Sequence, residues 1–341
     1  MAVRVGINGF GRIGRSFTRA LIDRGADAGI ELVAVNDPMG DSATLAFLLK
    51  HDSVGGTLRN DIRGTDDGIS IDGRDIRKLE VMDPAEIPWS DQDVDVVIES
   101  TGLFTAREKA AAHLGGSVGR VIISAPSGDA DATICYGVND SVFDPAQHTV
   151  ISNASCTTNC LAPLAKVLHE RFGIERGVMT TVHAYTSDQS LQDLASPTRK
   201  GVPDLRRMRA AALSIIPSST GAAKAIGLVL PELKGRLDGM ALRVPTPTGS
   251  ITDLNVQIQG DTTVDEVNAA FSQAANESSF HGVLEYSDEP LVSADIVHNP
   301  ASCIFSARDT MVNGNLVKVL GWYDNEWGYS NRLVDLVTFV G

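Results

Sequence analysis

Cys156 carries the most distinctive chemistry in this sequence, because it stands where a loop is predicted to enter a helix. The stretch from Ser152 to Cys160 is rich in small polar residues and gives way at Leu161 to an apolar, helix-favouring run. Side-chain oxygens in such a stretch cap the first helical turn. The positive end of the helix dipole then favours the thiolate form of a cysteine held there. The alternative is that Cys156 and Cys160 are inert, buried thiols one turn apart.

A histidine that could act as the base for this thiol follows in the next predicted strand. Apolar and β-branched residues at 177–186 indicate a strand, with His183 near its end. Imidazole can accept the thiol proton, and a helix leading out and a strand leading back can bring the two side chains together. A hydrogen-bonded structural histidine is the alternative.

A glycine pattern near the start predicts a dinucleotide site. Gly9, Gly11 and Gly14 form G-x-G-x-x-G between a predicted strand at 3–8 and a predicted helix at 15–24. The first glycine permits a tight turn, the second lets a pyrophosphate approach the backbone, and the third packs helix against strand. The phosphates would lie at the helix N-terminus. Glycines that serve only a structural turn are the alternative.

Asp37 ends the next predicted strand, at 31–36, and predicts the choice of dinucleotide. A carboxylate there can accept hydrogen bonds from the adenosine ribose and repels a 2′-phosphate, so NAD is favoured over NADP. A turn or cap residue is the alternative. Further strands predicted at 94–99, 120–124 and 132–137 make Thr101 and Ser124 candidates for cofactor-lining loops, because open α/β sheets bind ligands beyond the carboxyl ends of their strands.

Positive groups in the second half predict anion sites in an otherwise acidic chain. Three arginines stand between positions 206 and 209, and Arg243 adds a further cation. Arginine offers a bidentate fork to phosphate, although a solvated surface or a subunit contact also explains such a cluster. Residues 218–221 precede a helix predicted at 222–230 and form a second candidate anion site.

Composition limits the class of protein. The chain has 341 residues, 43% hydrophobic and 21% charged, with a net charge of −14 and 4 cysteines. The acidic charge argues against nucleic acid as a partner, and the few cysteines indicate a reducing compartment. The N-terminus shows no signal segment, and no apolar run approaches the ~20 residues that span a membrane. We expect a cytoplasmic protein with no membrane partner, and we assign no metal site.

Length and element pattern predict an α/β protein of more than one domain. We expect a Rossmann dinucleotide-binding domain at 1–154 and an α+β catalytic domain with a mixed or antiparallel sheet at 155–320. Strands are predicted at 251–259, 301–306 and 317–323, and Cys135 and Cys303 are expected in the core. A C-terminal segment at 321–341 has a helix predicted at 331–340 that could pack back on the first domain.

Six ordered motifs give the chain a family resemblance. They lie at residues 8–15, 152–160, 181–186, 218–224, 242–247 and 322–329. On these motifs the chain resembles phosphorylating glyceraldehyde-3-phosphate dehydrogenase from end to end. The resemblance implies that Cys156 is the nucleophile and His183 its base. The cofactor positions that it implies are Gly9, Gly11, Arg12, Ile13, Gly14, Asp37, Thr101, Ser124, Asn325 and Tyr329. The substrate and phosphate positions are Ser155, Thr157, Thr186, Arg206, Thr220, Gly221 and Arg243.

The resemblance also implies a reaction and partners. The expected activity oxidises D-glyceraldehyde 3-phosphate with NAD and inorganic phosphate through a cysteine thiohemiacetal and thioester, in a homotetramer. Erythrose-4-phosphate dehydrogenase shares the fold and is one alternative, and a redox sensor that reacts through Cys156 is another. Two departures from the family pattern are Met82, at a position near the adenine, and extra residues at 196–203 in the loop from Ser187 to Asp204.

Overall fold

The computed structural model describes residues 2–195 and 204–341, so the extra loop segment at 196–203 lies outside the described residues. The chain divides into two compact units. The first comprises Met1–Ile134, Asp140–Ala154 and Ser330–Gly341, and the second comprises Cys135–Asn139 and Ser155–Tyr329. The segment predicted at 321–341 is therefore shared, with its strand in the second unit and most of its helix in the first.

The first unit is built on a mainly parallel sheet. Its strands are β1 Val3–Asn8, β2 Ile30–Asn36, β3 His51–Asp52, β4 Gly56–Thr57, β5 Ile62–Gly64, β6 Gly68–Ile71, β7 Arg74–Leu79, β8 Val96–Glu99, β9 Arg120–Ile123, β10 Ala132–Thr133 and β11 Val150–Ser152. The main sheet has the order β10-β11-β9-β8-β1-β2-β7-β6-β5, and β3 pairs separately with β4. Pairing is parallel from β10 to β7, and β6 and β5 continue antiparallel.

The first strands after β1 are added on one side of it, beginning with β2, and the later strands are added on its other side, beginning with β8. Ligands of open α/β sheets bind at such a switch point, beyond the carboxyl ends of the strands. The predicted Rossmann half is thus confirmed in its topology. The strand expected at 132–137 was predicted too long, because only Ala132 and Thr133 pair with β11.

The second unit is built on a mixed sheet, as predicted. Its strands are β12 Ile174–Ala184, β13 Ile216–Ser219, β14 Leu237–Val244, β15 Ser250–Ile258, β16 Leu284–Ser287, β17 Cys303–Ser306, β18 Met311–Asn313 and β19 Leu316–Tyr323. The order is β13-β14-β12-β15-β19-β17-β16, with β18 also on β19. β12 runs parallel to β14 and antiparallel to β15, so the central strand that carries His183 is hydrogen-bonded on both edges.

Helices cover the sheets. They are α1 Arg12–Arg24, α2 Ser42–Lys50, α3 Arg107–Ala110, α4 Cys156–Phe172, α5 Ala222–Val229, α6 Val264–Ala274 and α7 Trp327–Val340, with 3₁₀ turns that include Trp89–Gln92 and Ala111–His113. Helix α4 packs against β12, β15 and β19, and against α5 and α6. Within the first unit, Arg24 of α1 donates hydrogen bonds to Asn331 of α7 at 2.9 and 3.0 Å. No helix in the described residues is both long and apolar enough to cross a membrane.

The two faces of the second sheet differ in burial. Along β15 the residues alternate between buried and partly exposed, and β19 repeats the pattern. The buried face lies under α4 to α6. The opposite face carries Val178, Met240 and Leu316, which are 61%, 41% and 49% exposed. The same face also carries Asp253, Asn255 and Lys318, so it is a surface of mixed polarity that includes several exposed apolar side chains.

Candidate active site

Cys156 is the first residue of α4, so the helix begins five positions before the predicted change at Leu161. The Ser155 side chain is the N-cap and accepts a hydrogen bond from Thr158 N at 3.0 Å. Ser155 thereby accepts a hydrogen bond from a backbone N–H group of the first turn. Polar residues that do this also occur in loops, so the composition of the turn did not reveal the helix. Ala154, just before the cap, has a φ of +55°, a left-handed conformation that turns the chain into the helix.

The structure brings Cys156 and His183 together. Cys156 Sγ lies 3.4 Å from His183 Nε2. The imidazole is almost fully buried near the end of β12, and its Nδ1 lies 2.7 Å from the Ala184 carbonyl oxygen. When Nδ1 carries the hydrogen and donates it to this carbonyl, the lone pair of Nε2 points at the sulfur. In that tautomer His183 can accept the thiol proton.

Burial dominates the protonation of this pair. It raises the pKa of the Cys156 thiol to about 11, against the opposing effects of the Arg243 charge and of hydrogen bonds from Thr157. Burial and then the Arg243 charge lower the pKa of His183 to about 3. In the ligand-free site desolvation disfavours the ions of both groups. The resting pair is a neutral thiol beside a neutral imidazole.

Arg243 connects the pair to a candidate anion site. Its Nη1 lies 2.9 Å from His183 Nδ1, 3.1 Å from the Ala184 carbonyl oxygen and 3.0 Å from Thr186 Oγ1. Its Nε is buried without a hydrogen-bond acceptor among the described residues. A buried guanidinium with an unused donor is suited to binding an anion such as a phosphate.

Asp188 in this cluster escaped the sequence prediction, whereas its partner Arg207 belongs to the predicted arginine cluster at 206–209. The Asp188 carboxylate accepts a hydrogen bond from Thr186 Oγ1 and forms an ion pair with Arg207. Burial opposes ionisation, but these two partners hold the pKa of Asp188 below its ordinary value. Its position, two residues after the predicted phosphate-binding Thr186, is the sequence signal that could have identified Asp188. Arg206 is exposed, and its contact through Nη1 is with the Pro217 carbonyl oxygen at 3.4 Å.

The hydroxyls predicted for the attacking phosphate are engaged in local contacts. Thr157 Oγ1 lies 2.9 Å from Tyr323 OH, which is 2.8 Å from Thr181 Oγ1. Thr220 Oγ1 accepts a hydrogen bond from Ala222 N at 3.2 Å and so caps α5, whose N-cap residue is Gly221. These side chains therefore orient the starts of α4 and α5, where backbone N–H groups face outward.

The glycines of the dinucleotide motif each have the predicted geometry. Gly9 has a φ of +91°, and a Cβ there would lie 2.7 Å from Thr101 N. A Cβ at Gly14 would lie 2.6 Å from the Gly9 carbonyl oxygen, so the helix packs closely on the strand end. A Cβ at Gly11 would meet no described atom within 4 Å. The open space at the N-cap of α1, next to Arg12 and Ile13, fits a pyrophosphate.

Asp37, Arg12 and Ser124, which are also predicted to bind the cofactor, lie in the first unit. Asp37 follows β2, and its carboxylate accepts hydrogen bonds from Phe10 N at 2.8 Å and Met39 N at 2.9 Å, beside the glycine turn. The Arg12 guanidinium pairs with Asp52. Ser124 N donates to the Glu99 carbonyl oxygen at 3.0 Å, which places Ser124 at the carboxyl edge of the sheet.

The last two residues predicted to bind the cofactor are Asn325 and Tyr329, and Met82 is the residue predicted near the adenine. In the second unit, the Asn325 amide oxygen accepts hydrogen bonds from Ser250 Oγ at 2.8 Å and Thr248 Oγ1 at 3.3 Å, which fixes the amide. Tyr329 is buried in α7. Met82, in the first unit, is exposed.

The remaining cysteines are fully buried, as expected. Burial raises the pKa of Cys135 to about 12. Cys160 Sγ lies 3.4 Å from the Gly321 carbonyl oxygen. Of the cysteines, Cys156 has a partly accessible position.

Comparison with known proteins gives matches along the whole chain. Residues 3–107 match the family model for the glyceraldehyde 3-phosphate dehydrogenase NAD binding domain, and residues 155–325 match the model for the C-terminal domain of the same family. The chain is 58% identical over 342 residues to "Glyceraldehyde-3-phosphate dehydrogenase" of Streptomyces coelicolor. It is 59% identical over 345 residues to the protein of that name from Mycobacterium bovis. Each alignment covers 100% of this chain and 99% of the relative.

Alanine at two glycines of the motif should separate stability from cofactor binding. Gly9→Ala forces a positive φ on alanine and a clash with Thr101, which costs about 1–3 kcal/mol of unfolding free energy. Gly11→Ala should unfold like the wild type but bind NAD at least about 10-fold more weakly, because its methyl group enters the space left for the pyrophosphate. Thermal unfolding and calorimetric titration with NAD measure the two effects. Normal NAD affinity in Gly11→Ala would exclude this placement of the pyrophosphate.

Proposed function

The chain belongs to the glyceraldehyde-3-phosphate dehydrogenase family, and we propose that Cys156 and His183 carry out its oxidation of D-glyceraldehyde 3-phosphate with inorganic phosphate. The observation that carries this assignment is the 3.4 Å contact between Cys156 Sγ and His183 Nε2. The enzyme is NAD-dependent. The names of its relatives favour this activity over that of an erythrose-4-phosphate dehydrogenase.

The first step joins the substrate to the protein. Cys156 sulfur attacks the aldehyde carbon, and His183 Nε2 takes the thiol proton and passes it to the former carbonyl oxygen, which gives a thiohemiacetal and a neutral imidazole. Because the resting pair is neutral, proton transfer accompanies bond formation and does not precede it. The buried site therefore holds no exposed thiolate before the substrate arrives.

In the second step His183 acts again as a base. NAD, when bound, would supply the acceptor for the hydride of the thiohemiacetal carbon. His183 Nε2 takes the hydroxyl proton at the same time, which leaves a thioester on Cys156. A phosphate oxygen then attacks the thioester carbon, Cys156 leaves as the thiolate and recovers its proton from His183, and the product is an acyl phosphate.

We assign the phosphate groups to the two anion-binding regions. Thr186 and Arg243 would bind the 3-phosphate of the substrate, where Arg243 Nε offers its unused donor. Ser155, Thr157, Thr220, Gly221 and Arg206 would bind the attacking phosphate through the N–H groups at the starts of α4 and α5 and through one guanidinium. In the ligand-free protein the Asp188 carboxylate binds the Thr186 hydroxyl and the Arg207 guanidinium. The incoming phosphate must therefore share these donors with the carboxylate or displace it.

For the cofactor, the assigned positions in the first unit are Gly9, Gly11, Arg12, Ile13, Gly14, Asp37, Thr101 and Ser124. Asn325 and Tyr329 are the assigned positions in the second unit. Dinucleotide binding belongs to the domain predicted at 1–154 and covalent chemistry to that at 155–320, with 321–341 as the C-terminal segment. We also assign the enzyme to the cytoplasm, a compartment suited to cysteines that are all unpaired; cell fractionation tests this.

Replacing the nucleophile and the base should have different kinetic effects. Cys156→Ser should abolish phosphate-dependent NADH formation, because a serine hydroxyl is far less ionised than a thiol. His183→Asn should lower kcat by ~10²–10⁴-fold and leave measurable activity, since general-base assistance contributes that factor. Stopped-flow absorbance at 340 nm measures both. Cys160→Ser is the control and should retain activity; substantial turnover by Cys156→Ser would refute the assignment.

The phosphate group of the substrate should raise the pKa of His183, the proposed base. Arg243 lowers the pKa of His183, and a phosphate dianion beside Arg243 offsets that charge. D-Glyceraldehyde should therefore react with a lower kcat than its 3-phosphate, and the acid limb of its pH profile should lie at lower pH. In Arg243→Gln the two limbs should coincide. Equal midpoints for the two substrates in the wild type would rule out this coupling.

We propose that the enzyme is a homotetramer and that the exposed sheet face of the second unit forms one of its contacts. Val178 and Met240 lie on adjacent strands of that face, and burying such apolar area against a second copy is favourable. Val178→Asp should shift the mass measured by sedimentation equilibrium towards smaller species. Val264→Asp, at the first position of α6, is the matched control and should leave the mass unchanged. A monomeric wild type at micromolar concentration would contradict the proposal.

A further inference from the structure

A row of buried polar side chains crosses the carboxyl ends of three neighbouring strands in the first unit. Asn8, Asn36 and Glu99 are the last residues of β1, β2 and β8, and Asn8 is in register with both of the others. Asn8 Nδ2 donates to Glu99 Oε2 at 2.6 Å, and Asn36 Nδ2 donates to Asn8 Oδ1 at 2.8 Å. The Asn36 amide also exchanges two 2.9 Å hydrogen bonds with the backbone of Val81, beyond β7. We call these residues the strand-end row.

Glu99 is the centre of the strand-end row. Its Oε1 accepts hydrogen bonds from Thr101 N at 2.9 Å and from Thr101 Oγ1, and its Oε2 accepts from Asn8 and lies 3.2 Å from His113 Nε2. Trp89 Nε1, which can only donate, lies 3.1 Å from His113 Nδ1. The other nitrogen of His113 therefore carries a hydrogen and donates to Glu99. Four donors thus converge on one carboxylate whose side chain is fully buried.

The residues that follow the strand-end row are those assigned to the cofactor. Gly9 follows Asn8, Asp37 follows Asn36, and Thr101 itself binds Glu99. Two more contacts tighten the same region, since Gly9 N donates to the Asn36 carbonyl oxygen at 2.8 Å and Ser100 Oγ donates to the Gly9 carbonyl oxygen at 2.6 Å. Backbone hydrogen bonds such as that from Gly9 N reach only one residue beyond the strands, and the side chains of the strand-end row hold the loops in addition.

We propose that Glu99 is a positioning residue for dinucleotide binding, which it prepares by fixing the glycine turn, Asp37 and the Thr101 loop before the cofactor arrives. This rests on the proposed assignment of the dinucleotide to that turn. Glu99 does not touch the cofactor. It contributes affinity because loops already in the bound geometry lose less conformational entropy on binding. An amide cannot replace the carboxylate, because its NH₂ group must face two donors where an acceptor is required.

The test replaces Glu99 with glutamine and compares it with a matched carboxylate of the same unit. Asp131 also accepts hydrogen bonds from several donors, namely Thr149 N, Thr149 Oγ1, Val150 N and Arg107, but it precedes β10 and β11 at their amino ends. The Asp131 side chain is 13% exposed, so Asp131→Asn controls for the loss of a partly buried carboxylate that accepts several hydrogen bonds. Calorimetric titration with NAD, well below the unfolding temperature of every variant, measures the dissociation constant.

Glu99→Gln should weaken NAD binding at least 10-fold, raise KM for NAD and leave kcat at saturating NAD within about twofold of the wild type. Alkylation of Cys156 by iodoacetamide without NAD should be unchanged. Asp131→Asn should bind NAD within about twofold of the wild type, even if it unfolds at a lower temperature. Wild-type affinity in Glu99→Gln, or equal weakening in both variants, would overturn the inference. Failure of the wild type to bind NAD would instead refute the proposed function.

Two variants of His113 decide the question if Glu99→Gln does not fold. His113→Leu removes one donor from Glu99 and should weaken NAD binding. His113→Gln keeps an acceptor for Trp89 and a donor for Glu99, so it should restore most of the affinity. Equal affinity in the leucine and glutamine variants would overturn the inference.

Discussion

The contact between Cys156 and His183 is the constraint on which the catalytic half of the molecule depends. A thiol and an imidazole at 3.4 Å must come from a helix start and a strand end, so α4 and β12 have to be fixed against each other. The sheet does this, because β12 is hydrogen-bonded along both edges and α4 packs across its buried face. Ser155 and Thr157 then use their hydroxyls to hold the first turn of α4, which leaves the sulfur facing the imidazole.

Burial and the nearby Arg243 charge together determine the protonation of Cys156 and His183. Burial keeps both groups neutral, and Arg243 disfavours a second positive charge on His183. The same guanidinium reaches Thr186, so an anionic substrate bound there as proposed would compensate the charge that lowers the pKa of His183. On that proposal the site would stabilise ions chiefly when its substrate is present, as expected of electrostatic stabilisation aimed at charge that develops during a reaction.

Local patterns allowed much of this structure to be predicted, and non-local contacts account for what was missed. Neighbouring residues encode the glycine motif and β1 from Val3 to Asn8, and they also mark the helix start that carries Cys156 and the strand that carries His183. The true start of α4 was missed because a well-capped first turn has the composition of a loop. Asp188 and Arg207 could not be placed together from sequence, since a long loop separates them. Nothing local marks Glu99 and His113 as partners, and the pKa of Cys156 depends on burial that only the folded chain supplies.

The strand-end row has a consequence for how the molecule acquires its function during folding. Its members come from positions 8, 36, 81 and 99, so no short piece of the chain contains the row, and each link forms only when two distant strands are already paired. Contacts of such long sequence separation arise late, because the entropy of loop closure must be lost before they form. A nascent chain released before β8 has joined β1 would contain the glycine motif without the support that orders it. If the strand-end row has the proposed role, nucleotide binding would require a chain whose central sheet is complete.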